Sequence, residues 1–539
     1  MWNHENLTNI MLYQSILTMT STEVIFMRLI NVSLKTIYGR KIIEGLNLII
    51  NKNDKIALIG EEGNGKSTLL KYIYNPKLIE DYCFFSGTRD LCSSIGYLPQ
   101  IMEAMWNQLG AQDYLLLNKP GDEPDYDIFN NINLIEKLFV KYRLDIDKFN
   151  SNQMISTLSG GEKIKLQLIK ILYKNPSLIL LDEPTNDLDL ETIELLESFI
   201  LNSNIPIIFI SHDQKLLENT SNRILHLEQV KRKTEMKWTL ENVGYKEYQK
   251  LRVSRNQKQD QEAYRTHKEY DEKKQILMRQ HQLVENALNQ AVRSPHEGRL
   301  LAKKMRNVLS KEKALEKMEI VSYYQPEEAI NLFFDDLISI PSKKIIFKME
   351  NEELSVDNKL LATNLNLVVK GAEKITFIGN NGCGKTKLLK KIYNSLKEDK
   401  SISVGYMPQN YDEELSFELT PVSYLQSFLG YDKENKSKIM SCLGALNFVE
   451  NEMNSTINNL SGGQKAKLYL LKLVLLKNDV LILDEPTRNL SPLSTPVIKK
   501  ILSNFKGCII SSSHDRSYIE EVSTSIYKLQ EDGLTKIDD

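Results

Sequence analysis

No apolar run in this chain approaches the ~18–20 residues of a membrane-spanning helix, which excludes a fused transporter. Cysteine is scarce. Cys83, Cys92, Cys383, Cys442 and Cys508 are scattered and form no CxxC pair, so neither a disulfide framework nor a zinc or iron–sulfur site is indicated. A reduced, cytoplasmic compartment is expected. The first 26 residues have no basic n-region and no small-residue cleavage site, so they do not read as a signal peptide, and Met19 and Met27 are expected as alternative starts. Net charge is also small, −2 over 539 residues, but it is unevenly spread. Residues 241–320 carry 18 Lys+Arg against 12 Asp+Glu, a balance of +6, which leaves −8 for the remainder. A basic insert in an acidic body points to a polyanionic partner such as nucleic acid.

What the chain does have, it has twice. "GEEGNGKST" begins at Gly60 and "GNNGCGKTK" at Gly379, an offset of 319. "LSGG" at Leu158 and Leu460, "DEPT" at Asp182 and Asp484, and "SHD" at Ser211 and Ser513 all share an offset of 302. One domain is therefore duplicated, and its second copy is shorter by 17 residues between the first two motifs. Short apolar strands ("DKIALIG", "EKITFIG", "SLILLDEP", "IPIIFISHD") alternate with helical stretches, so each copy is expected to be α/β with a mainly parallel sheet and a ligand at the strands' carboxyl ends.

Between the copies the pattern changes. Residues 241–320 contain only Pro295, Gly244 and Gly298 as breakers. Tyr270, Leu277, Val284 and Ala291 recur every seven residues, and after "RSPHEG" so do Leu301, Val308 and Leu315. This spacing predicts a helical hairpin with an a/d-like seam, its first helix running from about Tyr245 to Val292. The expected organisation is an N-terminal extension at 1–26, a first domain at 27–240, a helical linker at 241–322 with its tip near 288–298, and a second domain at 323–539.

The repeated motifs carry phosphate chemistry. Gly60, Glu61, Glu62, Gly63, Asn64, Gly65, Lys66, Ser67 and Thr68 form a phosphate-binding loop between a strand and a helix. Its backbone N–H groups cradle the anion, Lys66 reaches the β/γ-phosphates and Ser67 ligates Mg²⁺. Gly379, Asn380, Asn381, Gly382, Cys383, Gly384, Lys385, Thr386 and Lys387 repeat it, with Lys385 and Thr386 in those two roles. Asp182 and Asp484 end apolar strands where a carboxylate can hold Mg²⁺. Glu183 and Glu485 follow as groups to orient and deprotonate the attacking water. His212 and His514, each 30 residues after its Asp, can hydrogen-bond the γ-phosphate and hold that water. Ser159, Gly160, Gly161 and Glu162, and likewise Ser461, Gly462, Gly463 and Gln464, open helices that make a second anion site. Each is expected to cap the nucleotide held by the other copy, in a head-to-tail sandwich.

These motifs together resemble the ATP-binding cassette superfamily over about residues 27–235 and 344–535. Gln100 in "GYLPQ" and Gln409 in "GYMPQ" match its Q-loops, which contact nucleotide and Mg²⁺. The resemblance implies two tandem α/β cassettes joined by a long α-helical hairpin, with ATP and Mg²⁺ as cofactors. Two cassettes with a charged linker and no membrane domain are similar to the ABC-F branch. That likeness implies a 70S ribosome partner, with contacts to rRNA, the E site and P-site tRNA. It implies no DNA partner, and a monomer whose cassettes form the sandwich intramolecularly. The second cassette reads "DEPTRNLSPLS", with Arg488, Asn489 and Ser491 where housekeeping members have Asn, His and Asp. This resembles the antibiotic-resistance group that protects Gram-positive ribosomes from lincosamides, pleuromutilins and streptogramin A, and it implies unequal ATP sites. Tyr38 is expected to stack on adenine in the first site, and Asp357 stands at the matching place in the second. Two alternatives stay open: a general ABC-F translation factor for stalled ribosomes, and the soluble ATPase subunit of a transporter.

Overall fold

A computed structural model describes residues 25–537, except 62, 92–93, 126–131, 186–187, 231–234, 291–294, 317–339, 342, 357–358, 400, 412–413, 447 and 489. Each cassette is built on a six-stranded sheet. In the first, the spatial order is Ile95–Leu98, Leu178–Asp182, Ile207–Ile210, Lys55–Ile59, Arg223–Val230 and Glu235–Glu241. The first five strands are parallel and the last is antiparallel. The second repeats the order with Val404–Met407, Val480–Asp484, Cys508–Ser512, Lys374–Ile378, Ser525–Gln530 and Gly533–Ile537. The strands "LILLD" and "VLILD" are buried along their whole length, as central strands of a parallel sheet covered on both faces must be. That burial is why they read as unbroken apolar runs.

The parallel pairing puts every motif at one end of the sheet. Asp182 is paired with Ile210 and Asp484 with Ser512 at the carboxyl ends of their strands. The phosphate loops follow Lys55–Ile59 and Lys374–Ile378 at that same edge. The shorter second copy has a structural cause. In the first cassette the helix Lys66–Tyr74 is followed by the strand Cys83–Leu91, which pairs with Ile25–Thr36 in a three-stranded antiparallel sheet. In the second, the helix Lys385–Lys397 leads within six residues to Val404–Met407, and the accessory sheet has two strands among the described residues.

Residues 246–326 form a separate compact unit. It contains most of the helix Tyr245–Gln290, 46 residues and so roughly 69 Å at 1.5 Å per residue, and the helix Pro295–Glu316. Leu277 and Val308 are buried, while Tyr270, Val284, Leu301 and Leu315 are half-buried, which is the expected seam. His281 Nδ1 lies 2.8 Å from Glu312 Oε1, tying the two helices side by side. The first helix is described as far as Gln290, and its expected end at Val292 lies outside the described residues. Ala291 lies outside the described residues.

Candidate functional site

The phosphate loops are held open by glycine geometry. Gly65 has φ +85°, and a Cβ there would sit 2.0 Å from Ile42 Cγ2. Gly60 has φ +149°, and its Cβ would meet the Leu227 carbonyl oxygen at 2.4 Å. The Asn64 side chain pins the first loop from behind, donating to that same Leu227 oxygen at 2.9 Å. Lys66 Nζ folds back over the loop to the Gly60 and Glu61 carbonyls at 2.8 and 3.0 Å. Lys385 does the same at Gly379 and Asn380, 2.7 and 3.1 Å.

Around the first loop lies a cavity of about 480 Å³. Gly63, Gly65, Lys66, Ser67, Thr68, Gln100, Glu183 and His212 line it from the first cassette, and Ser461, Gly462 and Gly463 from the second. The second cassette's helix end at Ser461–Gly463 thus faces the first phosphate loop across this cavity. Ser67 Oγ donates to Asp182 Oδ1 at 2.9 Å, and Tyr97 donates to Asp182 Oδ2 at 3.2 Å. Burial pushes the Asp182 carboxyl up to about 6, against the pull of the Ser67 and Tyr97 hydrogen bonds. Glu183 is held from two sides: Gln100 Nε2 donates to Oε2 at 2.8 Å, and His212 Nε2 is 2.9 Å from Oε1.

The second cavity, about 690 Å³, is lined by Asn381, Gly382, Gly384, Lys385, Thr386, Lys387, Gln409, Asp484, Glu485 and His514, and by Thr185, Leu188 and Ile193 across the junction. Ser159, Gly160, Gly161 and Glu162 are not in its lining, so the two cavities are closed differently. Ser512 Oγ donates to Asp484 Oδ1 at 2.5 Å, while the buried Oδ2 has no hydrogen-bond partner among the described residues. An orphaned carboxylate oxygen in a lining shared with Thr386 fits a hard cation such as Mg²⁺. Burial, reinforced by Asp484, raises Glu485 to about 7. His514 is pushed down to about 4 by burial and by Lys385. Its ring is 3.7 Å from Glu485, farther than His212 is from Glu183, so the two sites also differ in this bond.

Both glutamates adopt left-handed backbone, φ +50° at Glu183 and +53° at Glu485. That conformation is uncommon for a side chain of this kind, and such strain concentrates at functional sites. In each case the peptide N–H bonds back into the sheet, Glu183 to Ile210 and Glu485 to Ser512. This aims the carboxylate out past the strand end.

Several expected site residues point elsewhere. Tyr38 is 92% exposed and is not in the lining of the first cavity, where Tyr82 stands instead. Thr36, Arg40 and Ile42 also line it, and Arg40 donates to the Gly63 carbonyl at 2.8 Å. No local sequence pattern marks Tyr82. Glu162 and Gln464 turn back on their own helices: Glu162 Oε2 accepts from Ser159 N and Gln464 Oε1 from Ser461 N, both at 2.9 Å. "SGGE" and "SGGQ" have capping-box spacing, so this use was readable from the sequence. Gly379, Asn380 and Cys383 do not line the second cavity, and the Glu61 carboxylate leaves its own cassette altogether. Glu62, Asp357 and Asn489 lie outside the described residues.

The family model described as ABC transporter matches residues 43–186 and 362–488. ATP-binding protein Uup of Buchnera aphidicola subsp. Acyrthosiphon pisum is 30% identical, over 92% of this chain and 79% of that protein. ABC transporter F family member 2 of Arabidopsis thaliana is 26% identical, over 94% and 77%. Ribosome protection protein VmlR of Bacillus subtilis is 27% identical, over 94% and 87%. Among solved structures, the archaeal ribosome recycling factor aABCE1 matches with a TM-score of 0.53 over 92% of this chain and 88% of that one, at 16% identity, a likeness of fold alone. No described helix is long and apolar enough to cross a membrane.

Proposed function

This chain belongs to the ABC-F family of ATP-binding-cassette proteins and is an ATP hydrolase, and from that premise we propose that it works on the 70S ribosome in the cytoplasm. In this reading it occupies the E site and protects translation from drugs of the peptidyl-transferase centre: lincosamides, pleuromutilins and streptogramin A. One observation carries the reading. The similarity to a protein named for ribosome protection runs over 94% of the chain, so it takes in the linker as well as the two cassettes. The basic linker, +6 over residues 241–320, is suited to rRNA phosphates.

At the first site, Lys66 and the loop amides hold the β/γ-phosphates, and the helix end at Ser461–Gly463 meets the γ-phosphate from the opposite side. Ser67 and Asp182, with Gln100, would hold Mg²⁺ there, and Thr386 and Asp484, with Gln409, at the second site, where the ion would neutralise phosphate charge. Glu183, fixed by Gln100 and His212, takes a proton from the attacking water. Glu485 has that role in the second site.

Changing both Glu183 and Glu485 to Gln should preserve ATP binding, abolish turnover and trap the protein on 70S ribosomes in co-sedimentation. A double variant that stays free of ribosomes in ATP refutes the reading. Translation assays with and without drug then separate the activities. Rescue that needs the drug supports protection, whereas rescue of stalled ribosomes without it makes the chain a general translation factor.

A further inference from the structure

Two departures from the internal repeat meet in space. The first phosphate loop has Glu61 where the second, 319 residues on, has Asn380. The stretch after the second "DEPT" has Ser491 where the first, 302 residues earlier, has Asp189. Glu61 is 7% exposed, and its carboxylate crosses into the second cassette. Oε1 accepts the hydroxyls of Ser491 at 2.6 Å and Ser494 at 2.8 Å. Oε2 lies 3.1 Å from Lys467 Nζ. Ser491 and Ser494 are fully buried, and Lys467 is 5% exposed. A buried carboxylate is tolerated when it is paired and its lone pairs are used, and removing one partner strands a charge.

One of the three partners sits on an element that faces the first nucleotide cavity. Lys467 belongs to the helix Gly462–Leu475, whose first turn lines that cavity. Ser491 and Ser494 lie in the segment that leads into the helix Thr495–Asn504. One carboxylate thus gathers the phosphate loop of one cassette and two segments of the other.

At the opposite junction the acid has changed sides. Asp189 caps the helix Leu190–Asn202, accepting from Thr192 N at 3.0 Å. Its neighbours Leu188 and Ile193 line the second cavity with Asn381 and Gly382, next to Asn380. Each junction carries one carboxylate at these paired positions, on the phosphate loop in one and on the facing segment in the other.

We propose that Glu61, held by Ser491, Ser494 and Lys467, is a positioning residue that seats the second cassette's helix Gly462–Leu475 over the first nucleotide, with its acid transposed relative to Asp189 and Asn380. The inference rests on reading the first cavity as an ATP site. It explains why the "TRNLSPLS" departure is found in the same chain as a glutamate in the first phosphate loop. Aspartate at 491 would face Glu61 as a like charge, in a buried place where that is costly.

The test is a charge transposition in the full chain, read by steady-state ATP turnover and by thermal unfolding. Glu61→Asn and Ser491→Asp should each lower kcat by about threefold or more, with a smaller change in KM, because seating is lost and not ground-state binding. The double variant Glu61→Asn/Ser491→Asp restores one carboxylate per junction and should recover at least about half of the parent kcat, a coupling that independent sites do not show. Losses that simply add in the double variant, or melting temperatures that fall while kcat stays at the parent value, overturn the proposal. Should Ser491→Asp fail to fold, Glu61→Gln replaces it. That variant keeps the shape and an acceptor but loses the charge facing Lys467, and it must lower kcat by about twofold without unfolding, or the proposal fails. Glu183→Gln in the same series keeps the two ideas apart. If it leaves turnover unchanged, the ATP-site reading has failed. If it lowers turnover while Glu61→Asn does not, only the lock has failed.

Discussion

The hydroxyl of Tyr245 donates to the carbonyl oxygen of Pro492 at 3.2 Å, and both residues are buried. Tyr245 is the first residue of the long helix, and its own N–H bonds to Ser221 Oγ at 3.2 Å. Tyr245 is therefore held by the first cassette through its backbone and by the second through its side chain, one residue beyond Ser491.

Tyr245→Phe removes only that hydroxyl and leaves the Pro492 oxygen without it. A loss of about 1 kcal/mol is expected, the ordinary worth of such a bond. It should appear as a lowered melting temperature with unchanged ATP affinity. An unchanged melting temperature would show that the bond contributes nothing.

Glu183 is braced by Gln100 and His212, whereas His514 stands 3.7 Å from Glu485 and the second cavity is not lined by Ser159–Glu162. The two sites should therefore turn over unequally. Glu183→Gln and Glu485→Gln, made singly, should leave residual ATPase rates that differ several-fold. Equal residual rates would mean that this asymmetry has no catalytic consequence.

The contact between His281 and Glu312 raises the histidine pKa above its ordinary 6.5, chiefly through the hydrogen bond to Glu312. A histidine whose folded pKa is raised stabilises the fold fully below the unfolded value and loses that contribution as pH rises through the folded value. The linker hairpin should thus be tighter at pH 6 than at pH 8. NMR titration of His281 should give a value above 6.5, and Glu312→Gln should return it to the ordinary range. A normal value in the parent chain removes the basis for this pH dependence.

Residues 291–310 carry Arg293, Arg299, Lys303, Lys304 and Arg306 against one acid, Glu297. Such a cluster favours rRNA phosphates through counterion release. Exchanging Leu288–Gly298 for a short Gly/Ser turn should leave ATPase activity and ribosome binding largely intact while drug protection is lost. Protection that survives the exchange would move the function to the cassettes or the sides of the hairpin.

Much of this molecule is set by short-range sequence. A glycine-rich loop between an apolar strand and a helix can adopt few backbones, so both phosphate loops and both strand-end carboxylates were legible as motifs. Heptad spacing likewise gave the hairpin seam, with Leu277 and Val308 buried in it. The head-to-tail capping was expected because two anion-binding helix ends needed a ligand, and Ser461–Gly463 do line the first cavity. Packing decided the rest. Whether Tyr38 or Tyr82 lines that cavity depends on how the accessory sheet folds over it, which no local pattern encodes. Glu61 read as one more phosphate-loop residue, because its partners lie 406 to 433 positions away and enter the site only when the second cassette docks. A buried carboxylate takes its meaning from the groups that neutralise it, and for Glu61 those groups are supplied by the other half of the chain.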